Sequence, residues 1–287
     1  MVPNPFTYDC LTLHYPPGSQ LIVKMLIEKR YESSTISLVK RLLSPGAVFV
    51  DGGANYGLYS MVAAGAVGNS GKVFAFEPVA ETYQSLQKNT GTNGFQHIVE
   101  PVQAALTERD GPVRLTVNAD IIYAASVSLS ADEAQGGQRR DSAGVSGEVV
   151  EGVTLDSFFA SRGWPRCDVI KLDVEGHETA ALAGMKEVAR RNPQLRLVIE
   201  FSPQLLDENQ VAAYFEMLQS LGLSRVAVIE DEGLFRLDPC ADRQQLVQAA
   251  LARESQNFNL LCEMERPEGV EVSGLWASTH KVNGQTP

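Results

Sequence analysis

The chain has 287 residues, 44% of them hydrophobic, which is enough for one large α/β domain with a well-buried core. A formal net charge of −11, with Lys and Arg scattered rather than blocked, argues against a nucleic-acid or anionic-membrane partner. No stretch approaches the ~18 consecutive apolar residues of a membrane span, and the N-terminus lacks a charged leader with an apolar run. The four cysteines are far apart and show no metal-ligand spacing, so reduced thiols in a soluble, cytoplasmic protein are expected.

Residues 1–20 mix short apolar pieces with Pro and Gly and read as an irregular lead-in or a short hairpin. From Leu21 to Leu43 the apolar positions fall at helical spacing, with a break at Tyr31-Glu-Ser-Ser-Thr35 and a stop at Ser44-Pro-Gly46. Two helices are predicted, packed over the ligand-bearing edge of a sheet. The break cluster reads as a helix cap, the alternative being that Glu32 or Thr35 reaches the ligand.

Ala47-Val-Phe-Val-Asp51 then predicts a buried parallel strand, followed by a turn through Gly52, Gly53 and Gly57 and an apolar helix. Glycine permits the turn's positive φ and a close ligand approach, and the helix N-terminus adds free N–H donors. Glu77 closes the next strand, Lys72-Val-Phe-Ala-Phe-Glu77, 20 positions after Gly57, where a ribose-binding carboxylate is expected. Asp51 at the strand end would repel a pyrophosphate. A ligand with a ribose, an amino group and a sulfonium charge but no phosphate suits Asp51 and Glu77 together, and S-adenosylmethionine is that ligand.

A helix carrying Tyr83 and Leu86 follows, then a strand from Ile98 to about Ala105. Strand–helix alternation predicts a parallel sheet with right-handed crossovers. Val113–Val117 and Val149–Val153 look like two strands around a long Ala/Ser/Gly/Gln-rich insertion, about 118–148, read as a lid or a disordered loop. Alternation resumes with a short helix at Thr154–Phe159 and the strand Asp168–Asp173. Next come a helix with Leu182, Met185 and Val188 inward, the strand Leu195–Glu200, a helix through Phe215, and the strand Val226–Ile229. A helix near Arg243–Ala252 and a last strand Phe258–Cys262 complete the pattern. The expected divisions are a helical preamble over 1–45, one domain over 46–265 and a loosely held tail over 266–287.

Lys171, Asp173, Glu175, His177 and Glu178 crowd one strand's C-terminal end, where doubly wound sheets bind ligands. Methyl transfer to a hydroxyl or amine is helped by removing the acceptor's proton. His177 is the candidate base, with Asp173 orienting the acceptor or the base. The alternative keeps His177 and Glu178 as helix N-terminal residues. Asp156, Asp173, Glu175 and Glu200 offer hard oxygen ligands, but nothing in their spacing is specific to a metal, and none is expected. Lys171 is expected to pair with one of these carboxylates.

With both clusters read, the chain resembles the FkbM family of S-adenosylmethionine-dependent methyltransferases. The resemblance rests on Val48-Phe-Val-Asp-Gly-Gly-Ala-Asn-Tyr-Gly57, Val73-Phe-Ala-Phe-Glu-Pro78, Thr154-Leu-Asp156, Ile170-Lys-Leu-Asp-Val-Glu-Gly-His-Glu178 and Val198-Ile-Glu200. It implies a class I methyltransferase, Rossmann-like fold with a mostly parallel seven-stranded sheet whose last strand is antiparallel. It further implies methyl transfer to a hydroxyl of a small-molecule natural product or sugar. Carried over by position, Asp51, Gly53, Asn55 and Gly57 line the cofactor's methionine end, Glu77 binds its ribose, and the backbone around Gln103-Ala104 lies near its adenine. Gly52 stands where a small aliphatic residue is common in the family, and the 118–148 insertion is longer and more polar than the family's pattern. An NAD-dependent oxidoreductase and a non-catalytic ligand-binding module on the same scaffold are the competing readings.

Overall fold

The computed structural model describes residues 2–28, 31–117, 146–231, 233–237, 242–253, 257–264 and 280–281. The expected lid or disordered loop, about 118–148, falls outside these residues apart from its last few positions, as does nearly all of the 266–287 tail. The lead-in is a hairpin, β1 (Phe6–Tyr8) and β2 (Leu11–Leu13), followed by α1 (Gln20–Ile27) and α2 (Ser33–Leu42). Two asparagines tie this preamble to α4 (Ala80–Thr92). Asn89 pairs with both backbone groups of His14, and Asn93 with both of Thr12, at 2.7–2.9 Å.

The large sheet is built from β3 (Val48–Gly52), β4 (Lys72–Phe76), β5 (Val99–Val102), β9 (Val169–Leu172), β10 (Arg196–Phe201), β11 (Arg225–Glu230), β12 (Gly233–Leu237), β13 (Phe258–Glu263) and β14 (His280–Lys281). Its order is β14-β12-β11-β13-β10-β9-β3-β4-β5. The seven expected strands are all present, with β13 antiparallel between β10 and β11. Two further strands, β12 and β14, extend the edge beyond β11, so the sheet has nine strands among the described residues. Sequence reading missed both because β12 begins at Gly233, almost directly after β11, and β14 pairs through only two residues. Periodicity needs longer runs than these.

The single strand expected from Ile98 to Ala105 is divided. β5 stays in the large sheet, while β6 (Ala105–Leu106) joins β7 (Gly111–Val117) and β8 (Ser146–Val153) in a three-stranded sheet. The expected pair flanking the insertion is therefore the antiparallel β7–β8 hairpin. The helix expected through Leu182 and Val188 is likewise two short ones, α6 (Glu178–Ala183) and α7 (Lys186–Arg191).

β3 is buried on both faces, as a strand covered by helices on each side must be. One face, with Phe49, Ala75, Val169, Val198 and Leu261, packs against the preamble and α3 (Leu58–Val67). The other, with Val50, Phe74, Ile170 and Leu172, packs against α5 (Leu155–Ala160), α6, α7 and α8 (Glu208–Ser220). Among the described residues no helix is long and apolar enough to cross a membrane.

Candidate active site

Residues alternate between faces along a strand, so register decides which side chains meet. Asp51 lies opposite Lys171, and both share the preamble face with Phe49 and Val169. One pleat further on, at the strand tips, the register runs through Gly53, Asp173, Glu200 and Asn259, with Glu77 next to Gly53 on the other side. The motifs that sequence reading set in separate clusters thus form one continuous row. Gln103 and Ala104 follow β5, one strand beyond Glu77; Gln103 is exposed and the Ala104 N–H donates to the Val102 carbonyl at 3.0 Å.

The turn after β3 is held tightly. Gly53 has φ +77°, and a Cβ there would sit 1.8 Å from the Asp173 carbonyl oxygen. Asn55 also takes a positive φ, 51°, which asparagine tolerates. Gly57, at φ +90°, opens α3, and a Cβ there would press Leu86 at 2.6 Å. Glu77 braces the turn from the next strand, accepting from the Asn55 N–H, the Val79 N–H and the Thr82 hydroxyl, each at 2.8 Å. One of its oxygens takes only the Asn55 donor, which leaves it room for another. Burial raises the pKa of Glu77, against the lowering effect of those donors.

Asp51 is 1% exposed. One of its oxygens accepts from the Ser60 hydroxyl at 2.6 Å, and the other, Oδ1, has no partner. A buried polar atom without a partner is uncommon and costly. Burial raises the Asp51 pKa, while Lys171 and Ser60 pull it down. Lys171 pairs with Asp173 at 2.9 Å and lies 4.4 Å over the Tyr59 ring. Burial alone would lower its pKa, but Asp173, Glu32 and Asp51 raise it, so the ammonium stays charged.

Glu32 departs from the cap reading. It stands before α2 with φ 45°, but its side chain makes no cap hydrogen bond. The carboxylate turns inward instead, accepting from the Tyr59 hydroxyl at 2.7 Å and the Asn259 amide at 2.6 Å. Those two bonds fix its inward position. No motif marked Glu32 or Asn259; the only available sign was a carboxylate set in a run of polar cap formers.

At the β9 tip, Glu178 accepts from the Val174 and Gly176 N–H groups and so secures its own turn. Burial raises its pKa to about 7. Glu175, held at φ 54°, has its pKa raised to about 8 by burial and by Asp173 and Glu178 beside it. Burial lowers the His177 pKa to about 4, so its imidazole is neutral at physiological pH. Asp173 bonds Lys171, and no hydrogen bond joins it to His177 among the described residues. Asp156 takes no part in this row: its carboxylate accepts from the Glu187 and Val188 N–H groups and caps α7.

The raised carboxylates make a pH prediction. Native Glu175 keeps its proton up to about pH 8, whereas in the unfolded chain it ionises near its ordinary value of 4.5. The native state therefore binds more protons between those values, and stability falls as pH rises through that window. Glu175→Gln removes the effect. Its melting temperature should match the parental protein's near pH 5 and exceed it at pH 9, by the equivalent of about 1–2 kcal/mol after allowance for partial solvent access. Equal melting temperatures at both pH values would contradict the assignment.

A mostly parallel sheet of this strand order, with a glycine turn between two acidic strand tips, is the class I methyltransferase fold. The chain belongs to the FkbM methyltransferase family, whose domain model matches residues 51–232. It is 25% identical over 168 residues to the hexuronic acid methyltransferase AglP of Haloferax volcanii, a match covering 58% of this chain and 56% of that protein. The chain thus spans little more than half of that relative's length. Among solved structures it resembles a SAM-dependent O-methyltransferase from Thermotoga maritima, with 18% identity, a TM-score of 0.44 and coverage of 88% of this chain and 73% of the other. It also resembles methyltransferase FkbM from Methylobacillus flagellatus, with 15% identity, a TM-score of 0.45 and coverage of 77% and 44%.

Proposed function

We propose that this chain is an S-adenosylmethionine-dependent methyltransferase acting on a hydroxyl of a small-molecule natural product or sugar. The observation that carries the reading is the partnerless Asp51 Oδ1, buried beside a glycine turn that leaves no room for a Cβ. A ligand ammonium would satisfy that oxygen, and a nucleoside without phosphate avoids repulsion there. In this reading Asp51, Gly53, Asn55 and Gly57 hold the methionine end, Glu77 receives the ribose hydroxyls, and Gln103-Ala104 flank the base. When bound, the cofactor supplies an electrophilic methyl. The chain's own residues position the acceptor and take its proton.

His177, uncharged at neutral pH, accepts that proton at a ring nitrogen, and Asp173, fixed by Lys171, orients the acceptor hydroxyl. A second reading gives the proton to Glu175, because a pKa of about 8 lies nearer the working range than one of about 4. The two are separable: loss of the base should lower kcat about 100-fold or more, in His177→Ala under the first reading and in Glu175→Gln under the second. A parental rate for His177→Ala across pH 6–9 would remove His177. For the function as a whole, isothermal titration with S-adenosylmethionine is the test. A folded protein that does not bind it, or that binds NADH instead, would end the proposal.

A further inference from the structure

The acceptor end of the row has a chemical character of its own. Glu200 and Asn259 are register partners at the tips of β10 and β13, 8% and 7% exposed respectively. They stand three strand spacings from Gly53 in the case of Asn259, about 14 Å by the ordinary inter-strand distance. Asn259 donates its amide to Glu32, yet its carbonyl oxygen Oδ1, in the same head group, has no partner. Glu200 accepts from the Ser202 hydroxyl at 2.7 Å and the Asn257 amide at 2.6 Å, and Glu175 and Asp173 act on it electrostatically. Lys171 is the cation whose charge reaches both Asp173 and Glu32, and it is already bonded to Asp173. Burial, and repulsion from Asp173, push Glu32, Glu175 and Glu200 toward their protonated forms.

We infer that Glu32, Glu200 and Asn259 form an acceptor subsite for an ammonium-bearing small molecule, resting on the methyltransferase reading. An ammonium answers both deficits at once. It brings donors for the orphaned Asn259 oxygen and a positive charge that favours the ionised forms of the buried carboxylates. A neutral hydroxyl answers only the first, and a carboxylate-bearing sugar, whose hydroxyls can also answer the first, adds negative charge to the second. The acceptor class is thereby distinguished from the hexuronic acid in the name of the Haloferax volcanii relative.

The test uses the full chain saturated with S-adenosylhomocysteine and three probes on one two-carbon frame: ethanolamine, ethylene glycol and glycolate. Saturation-transfer NMR titrations read weak binding to each. The expected order is ethanolamine tightest and glycolate weakest. In Glu32→Gln, whose single oxygen can keep the Asn259 contact while its NH2 donates to the Tyr59 hydroxyl oxygen, ethanolamine should weaken roughly tenfold, as loss of one charge-assisted bond implies, while ethylene glycol changes little. Ethylene glycol or glycolate binding as tightly as ethanolamine in the parental protein overturns the inference, and so does failure of ethanolamine to bind. The parental comparison needs no variant, so a misfolded Glu32→Gln leaves the test intact. Absence of S-adenosylhomocysteine binding would instead bring down the methyltransferase proposal, which separates the two failures.

Discussion

Gly53→Ala is expected to destabilise the protein by about 3 kcal/mol or more and to abolish S-adenosylmethionine binding. The residue occupies φ +77°, where an L side chain is strained, and its added Cβ would fall 1.8 Å from the Asp173 carbonyl oxygen. That oxygen is backbone and cannot swing aside, so the turn must separate from the β9 tip. The same N–H that would have to move donates to the Phe76 carbonyl at 3.0 Å, linking the turn to β4 as well. Against a total stability of about 5–15 kcal/mol, such a loss is a large fraction. Urea titration gives the first quantity and isothermal titration the second. A Gly53→Ala protein that matches the parental midpoint would show that the turn does not close on Asp173.

Asp51→Asn should weaken S-adenosylmethionine about 30- to 100-fold while leaving the melting temperature nearly unchanged, because a buried charge-assisted contact is lost without loss of shape. Asparagine is isosteric and keeps an acceptor for the Ser60 hydroxyl. Lys171 retains Asp173, so no isolated cation is created. Adenosine, which has no methionine end, should bind both proteins alike. An equal loss for adenosine would place Asp51 at the wrong end of the ligand, and no loss for either would remove it from the site.

How much of this was legible beforehand follows from the range of the forces involved. The glycine turn, Asp51 and Glu77 could be read because their conformational and electrostatic demands are local, acting within one strand and the turn after it. The seven-strand framework was legible for the same reason, through runs long enough to show a period. For Glu32 the sequence left a cap and an inward reach both open, because its inward turn is set by Tyr59 and Asn259, 27 and 227 positions away. Lys171 was read as pairing with a carboxylate, but its neighbours Asp51 and Glu32 come from other elements of the chain. The weak basicity of His177 and the raised pKa of Glu175 are products of burial, which a residue's type and position do not disclose.

The side-chain amides of Asn89 and Asn93 have a consequence for solubility. They lie one helical turn apart, in α4 and at its C-cap, and each meets the N–H and the carbonyl of a single residue, Thr12 in β2 and His14 just after it. They therefore act as a substitute neighbouring strand, saturating groups that a two-stranded ribbon would otherwise present to other chains. Removing the pair would expose an unsealed β-edge near the amino terminus, and self-association through that edge would be its visible sign.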